Sequence, residues 1–179
     1  MLHAILPYLS KLPEAKQAEA LAHLSGVAQS SVLLALSRGL DPRLAALAGW
    51  LHDVYSYATG IRPMHDVSGA ECARVIMERQ GWCSPAESQT VCRAIMHHSN
   101  KAQIDGPYEE LLKDADILAR LLANPAHPFS APKLRRIQPM MRQLGLAFEP
   151  VAKTSPIPAA PAALPLAPAA RHQALLPIR

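Results

Sequence analysis

Apolar positions recur at helical spacing along most of this chain, and the most informative run is LAALAGWLHDVYSY, residues 44–57. Leu44, Leu47, Ala48 and Leu51 fall on one face at that spacing, so the helix has a side that must be buried. It leads directly into an adjacent histidine and aspartate, His52 and Asp53, which places any chemistry at its end inside the fold. Neutral imidazole and ionised carboxylate together are ligands for a borderline divalent cation, and a buried carboxylate without such compensation is costly. Two ligands do not complete a site, so other segments must supply more.

The remaining pattern predicts helices throughout. Leu2–Leu9 reads as a short helix limited by Pro7, with a break near Pro13. A longer helix runs from about 14 to 37, with Gly26 a weak point and Gly39 a stop. It carries His23 on a semi-apolar face, where a histidine taken alone is more often a core or surface residue than a ligand. Asp41 caps and Pro42 starts the helix that ends in the His-Asp doublet. Thr59-Gly60-Ile61-Arg62-Pro63 is a turn, and His65 follows just before Ser68-Gly69-Ala70, where a helix runs to about Gln80. At that position His65 can serve as ligand, acid or cap. Ser84-Pro85-Ala86-Glu87 is a capping box that opens a helix from Pro85 to about His97. The helix delivers His97 and His98 to its C-terminal end, where the dipole also favours a purely structural positive histidine.

After the loop SNKAQIDGPY comes the strongly periodic EELLKDADILARLL. Leu112, Asp116 and Ala119 share a stripe beside Leu111, Ala115, Leu118 and Leu122, whereas Asp114 points about 200° away from Asp116 at helical pitch. Asp116 is therefore expected at the core edge as a metal ligand, and Asp114 in water. A last helix is expected over about 132–144, disturbed at Pro139, with Lys133, Arg135, Arg136 and Arg142 forming either a solvated face or a phosphate or partner surface. Beyond Glu149 the sequence is Pro/Ala-rich, with neither acidic residues nor helical period, and reads as a semi-extended, disordered tail. The expected organisation is one all-α helical domain over residues 1–148 and a tail over 149–179.

Composition agrees with this outline. Half the residues are hydrophobic and only 4% are aromatic, which with abundant alanine and leucine favours helix over sheet. The net charge of +4 is scattered rather than gathered into a basic stripe, so nucleic-acid binding is unsupported. Cys72, Cys83 and Cys92 are odd in number and lack CxxC spacing, which argues against a disulfide framework and for a reducing, cytoplasmic setting; a zinc site from Cys92 and His97 is the lesser alternative to buried thiols. The apolar start, MLHAILPYLSKLPEA, has no basic region before its hydrophobic run and is read as part of the fold. Arg38, Asp41 and Arg43 interrupt the longest apolar stretch, so no membrane association is expected.

The order of His23, then His52-Asp53, then Asp116 within KDADIL resembles the HD-domain superfamily of metal-dependent phosphohydrolases, over roughly residues 14–125. The resemblance implies an HD-domain-like helical bundle in which His23, His52, Asp53 and Asp116 hold a divalent ion of the Mn, Fe, Co, Mg, Ni or Zn type. One ion is expected and two are allowed. Some members of the superfamily hold a second metal through extra histidines, and His65 in HDVSGAECA and His97-His98 in HHSNKAQIDGPY resemble those positions, the latter segment being loosely similar to the loop of HD-GYP phosphodiesterases. The glutamate that follows the paired histidines there is Ser99 here, and the complete GYP run is absent. His65 and His98 would equally serve to bind a phosphate or protonate a leaving group.

The activity implied is hydrolysis of a nucleotide or another small phosphate ester by metal-activated water. Of Lys101, Lys113 and Arg120, which lie near the ligands in sequence, Lys101 is the best placed to meet a phosphate; Tyr108 is a candidate for substrate hydrogen bonding or simple packing. The acidic residue or lysine common shortly after the doublet is replaced by Val54-Tyr55-Ser56-Tyr57, which leaves His65 or His98 to act as the acid, or the protein a weak enzyme. Tyr55 and Tyr57 can line an aromatic pocket or pack in the core. Two further readings are a metal-stabilised regulatory or interaction module with little activity and, more remotely, a relative of di-iron oxygenases.

Overall fold

The long second helix is the spine of the molecule, and the two helices that matter most to the doublet and to Asp116 pack along it. A computed structural model describes residues 1–148, and among them the element order is α1 (Leu2–Leu9), α2 (Glu14–Arg38), α3 (Pro42–Leu51), α4 (Val54–Thr59), α5 (His65–Gln80), α6 (Pro85–His97), α7 (Pro107–Ala123) and α8 (Ala131–Gln143). The chain is all-α over these residues, and the expected Pro/Ala-rich tail lies outside them. α2 packs against α3 and α7, α6 against α3, α5 and α7, and α8 closes over α7.

Local chemistry explains the boundaries. Gly39 ends α2 at φ 66°, a left-handed conformation in which a Cβ is strained, and its N–H donates to the Ala35 carbonyl. The Asp41 carboxylate accepts from the Arg43 N–H, with Pro42 in the first helical position of α3. The capping box at Ser84 forms in full: the Ser84 hydroxyl accepts from the Glu87 N–H and the Glu87 carboxylate accepts from the Ser84 N–H. α2 passes through Gly26 unbroken, because packing on α3 and α7 outweighs the helix penalty of one glycine, about 1 kcal/mol. The same packing accounts for its apolar character. By length and composition α2 could cross a bilayer, but Leu24, Val27, Leu34 and Ala35 are buried in the core.

The core is contiguous, running from Ile5 and Leu9 through Leu24, Leu34, Leu51, Met77, Ile95, Leu111, Leu112, Ile117 and Leu118. Each of those side chains contributes roughly 1.5–3 kcal/mol on leaving water. At the α2–α3 crossing the backbones nearly touch: a Cβ on Gly49 would stand 2.5 Å from the Ala28 Cα. Gly49 is therefore what lets α3 lie on α2, three residues before His52.

Three expectations require correction here. Asp114 does not face water: it is buried, and accepts from Arg38 at 2.6 Å and from Arg136 at 2.7 Å. The helical wheel separated it from Asp116 correctly, but α8 covers the face on which it lies and brings Arg136 to it. The basic side chains of the last helix accordingly do not form one solvated face, since Arg136 turns inward to Asp114 and Glu110. Lys113 is fully buried and is held by Asp105, Glu110 and the Gln103 carbonyl, which ties the loop after α6 to α7 and leaves no amine for a phosphate.

Candidate metal centre

The doublet sits at the break between α3 and α4. His52 closes α3 and Asp53 leaves helical geometry at φ −117°, ψ 9°, so the two adjacent side chains converge instead of diverging around a helix. The His52 Nδ1–H donates to the Gly49 carbonyl at 2.8 Å; a carbonyl only accepts, so Nδ1 carries the hydrogen. His98 repeats the device on the Ile95 carbonyl at 2.6 Å, and His65 on the Arg62 carbonyl at 2.7 Å. Each Nε2 is thereby free to serve as a donor atom in the neutral ring, an orientation typical of metal-binding imidazole.

His52 Nε2 is the atom that tests whether the residues suit a metal. It is buried, has no hydrogen-bond partner, and lies 3.4 Å from Asp53 Oδ2. Leaving such an atom unpaired costs about 1–3 kcal/mol, and a cation shared with Asp53 removes that cost. Burial pulls the His52 ring toward its neutral form, but the Asp53 charge prevails and raises its pKa. The field that favours a proton on this lone pair favours a metal ion at the same place. Burial would raise the Asp53 pKa, yet the His52 and His98 rings beside it, at 3.4 and 3.6 Å, hold it well below the usual carboxylate range.

α2 brings His23 to the same point. Its Nε2 is 3.8 Å from Asp53 Oδ2 and 3.6 Å from Asp116 Oδ1, and its ring meets His52 edge-on at 5.2 Å. Burial first, then the neighbouring His52 and Arg120 charges, push His23 down to about 4, so it is neutral at physiological pH. Nε2 also accepts from the Arg120 guanidinium at 3.4 Å, which fixes its lone pair toward the cluster. His23, His52 and Asp53 offer ligand atoms all within 4.8 Å of one another. Two atoms bound to one ion at about 2.1 Å are separated by at most about 4.2 Å, so the spacings of 3.4 and 3.8 Å require little adjustment.

Asp116 stands beside this triad with its oxygens already engaged. Oδ2 takes the Lys101 ammonium at 2.8 Å and Oδ1 the Arg120 Nε at 3.0 Å. Burial opposes ionisation of Asp116, but Lys101 and then Arg120 hold its pKa far down. Lys101 is not the solvent-facing phosphate residue expected of a loop lysine: only 6% of its side chain is exposed, and burial lowers its pKa against the pull of Asp116.

A second group lies on the other side of Asp53. His98 Nε2 is 3.6 Å from Asp53 Oδ1, and Asp53, His65 and His98 form a further set of ligand atoms within 4.8 Å of one another. The Ser99 hydroxyl bridges the two rings, 3.1 Å from His65 Nε2 and 3.4 Å from His98 Nε2. His97 is not brought to the cluster. At the end of α6 it points the other way, half-exposed, with Nδ1 3.4 Å from Asp105. Tyr108 is also elsewhere: its hydroxyl accepts from the Asp41 N–H at 2.9 Å, so it fastens α7 to the start of α3 rather than reaching a substrate.

His23 and Arg120, at the edge of the cluster, also line a cleft of about 740 Å³ between α2 and the C-terminal half of α7. Its walls include His23, Gly26, Leu33, Tyr57, Ala119 and Arg120, so Tyr57 does line a pocket beside the site. Burial raises the Tyr57 hydroxyl to about 12, which keeps it protonated as a hydrogen-bond donor. Sequence reasoning noted Ser99 only as the replacement of a glutamate, not as a bridge between His65 and His98, and ranked Arg120 below Lys101. The i,i+4 spacing of Asp116 and Arg120 was a readable signal for their pairing; the position of Ser99 depends on how α5 meets the end of α6, which no local pattern encodes.

The family model described as HD domain matches residues 20–121 of the 179, a range that contains His23, both histidine groups and Arg120. No curated protein and no solved structure matches the chain significantly.

Proposed function

The chain belongs to the HD-domain family, a superfamily of metal-dependent phosphohydrolases, and on that premise we propose that it hydrolyses a small phosphate ester at the His23–His52–Asp53 centre. The observation that carries this reading is the buried, unpartnered Nε2 of His52 beside Asp53. His23, His52 and Asp53 would hold a divalent ion, with Asp116 as the fourth ligand once it releases a cation. Bound there, the ion supplies Lewis acidity toward a phosphoryl oxygen and lowers the pKa of water. The protein's own groups do the rest: the three carbonyl-anchored imidazoles orient their lone pairs, and the Asp53 charge offsets that of the ion. The buried Lys101 keeps Asp116 ionised, and the cleft offers room for the ester's organic part.

The two oxygens of Asp53 also favour a second reading, with two ions. Oδ2 faces His23 and His52 while Oδ1 faces His98, so Asp53 has one oxygen toward each histidine group. In this reading Asp53, His65 and His98 would hold the second ion; with a single ion, His65 and His98 would be available, once protonated, to serve a leaving group.

Elemental analysis of protein purified without chelator, for the wild type and Asp53→Ala, tests both. Phosphatase and phosphodiesterase assays follow on the same samples with Mn²⁺, Co²⁺, Fe²⁺ and Mg²⁺. One equivalent, lost with Asp53 and accompanied by hydrolysis, supports the mononuclear enzyme; two equivalents, one of them lost in His65→Ala, support the dinuclear one. Bound metal without hydrolysis of any ester would point to a metal-braced interaction module, and no metal at all would overturn the reading.

A further inference from the structure

We propose that Arg120 is a phosphate clamp that competes with the ion: its guanidinium reaches ligand atoms of the metal centre and, displaced from them by an ion, turns into the α2–α7 cleft to bind the phosphoryl group of a monoester. This rests on the metal-dependent reading above and names a residue and substrate class that reading leaves open.

The guanidinium stands where a cation would. Its Nε is 3.0 Å from Asp116 Oδ1, and its Nη2 donates at 3.4 Å to His23 Nε2. Those two acceptors are themselves 3.6 Å apart, within the span of atoms sharing one ion. A divalent ion that takes them repels the guanidinium and removes both of its acceptors. Arg120 has somewhere to go: 37% of its side chain is exposed, and it lines the cleft. The other cations near the centre have no such freedom. Lys101 is buried on Asp116, and Lys113 is buried among Asp105, Glu110 and the Gln103 carbonyl. A guanidinium is also suited to the role, since its planar fork matches two phosphate oxygens at once.

The cleft limits the substrate. Among its described lining residues Arg120 is the single permanent cation, and Glu19 adds a negative charge. One arginine together with a metal centre matches one phosphoryl group; a di- or triphosphate would bring charge that nothing in the cleft neutralises. The floor is small and apolar, with a Cβ on Gly26 reaching to 3.5 Å from the Ala119 Cβ, and Leu33, Leu122 and Ala123 further along. This surface suits the flat or apolar organic group of a phosphate monoester.

The test is calorimetric titration of Mn²⁺, and of inorganic phosphate with Mn²⁺ present, into the wild type, Arg120→Ala and Arg120→Lys. Arg120→Ala removes the competitor for Asp116, so Mn²⁺ is expected to bind about threefold or more tightly, while phosphate binds roughly tenfold or more weakly. Arg120→Lys should recover part of the phosphate affinity, as a point charge without the fork. Gly26→Leu, which narrows the floor beside Ala119, should raise KM for p-nitrophenyl phosphate about fivefold or more. Unchanged phosphate affinity in Arg120→Ala, or Mn²⁺ affinity that falls in parallel with it, would overturn the clamp and leave Arg120 a positioning residue for Asp116. Failure of the wild type to bind Mn²⁺ would remove the metal-dependent reading itself and the clamp with it.

Discussion

Asp53 and His98 meet at 3.6 Å through the carboxylate oxygen that Asp53 does not direct toward His52, so one side chain joins both histidine groups. Removing it should empty the whole centre. Asp53→Ala is expected to lose bound metal and to reduce hydrolysis by about 100-fold or more, the scale on which loss of a ligand or its supporting partner acts. His65→Ala, at the edge of the second group, should retain at least one ion. Metal content and kcat/KM of the two variants, measured side by side, check this.

Metal removal should be visible in stability as well as in activity. An ion that binds the folded chain alone stabilises it by about 2.7 kcal/mol at one hundred times its dissociation constant. Thermal unfolding before and after dialysis against a chelator should therefore show a lower Tm without metal, restored by Mn²⁺. An unchanged Tm on both steps would argue against a specific ion.

Asp114 is expected to matter to folding and not to chemistry. It binds Arg38 at the end of α2 and Arg136 of α8, all three largely shielded from solvent. Asp114→Ala leaves two guanidinium groups without their shared anion, a change that costs about 3 kcal/mol when a buried pair is broken. The midpoint of urea unfolding should fall accordingly, with metal content per folded molecule preserved.

That residue also marks the limit of what the sequence conveys. The bounds of α2, α3 and α6 were legible because Gly39, Asp41-Pro42 and the Ser84–Glu87 box act through their immediate neighbours. The His-Asp doublet was legible because its helix must bury the face leading to it. Asp114 was not, since a wheel gives relative faces and says nothing of a later helix that comes to lie on one of them. The burial of Lys101 and the bridging place of Ser99 were not legible for a related reason: the loop after α6 has no periodicity, and it is drawn in by Lys113, which reaches back to Gln103 and Asp105. His97 and His98 were indistinguishable in sequence; one residue of helical rotation sends the first to Asp105 and the second to Asp53.

Acid should weaken the tie that Lys113 and Glu110 make between α7 and the loop after α6. Burial would raise the Glu110 pKa, but hydrogen bonds from Lys113 and Arg136 hold it below its ordinary value. A carboxylate with a depressed folded pKa binds fewer protons folded than unfolded, so its stabilisation is present above the unfolded pKa of about 4.3 and is lost as pH falls through the folded value. Glu110→Gln should be less stable than wild type at neutral pH and should show a shallower loss of stability below pH of about 5. Unfolding free energies measured across that range check the sign.

Arg120 and His23, which touch at the centre, are 97 residues apart in the chain. A partly folded chain in which α3 has formed but has packed on neither α2 nor α7 offers an arriving ion only the two neighbours His52 and Asp53. The ligand set with Asp116 exists only once α2 and α7 have also met, a contact between residues far apart in the chain. The ion should therefore leave the folding rate nearly unchanged and act almost wholly by slowing unfolding, so that the metal governs how long the molecule lasts rather than how fast it is made.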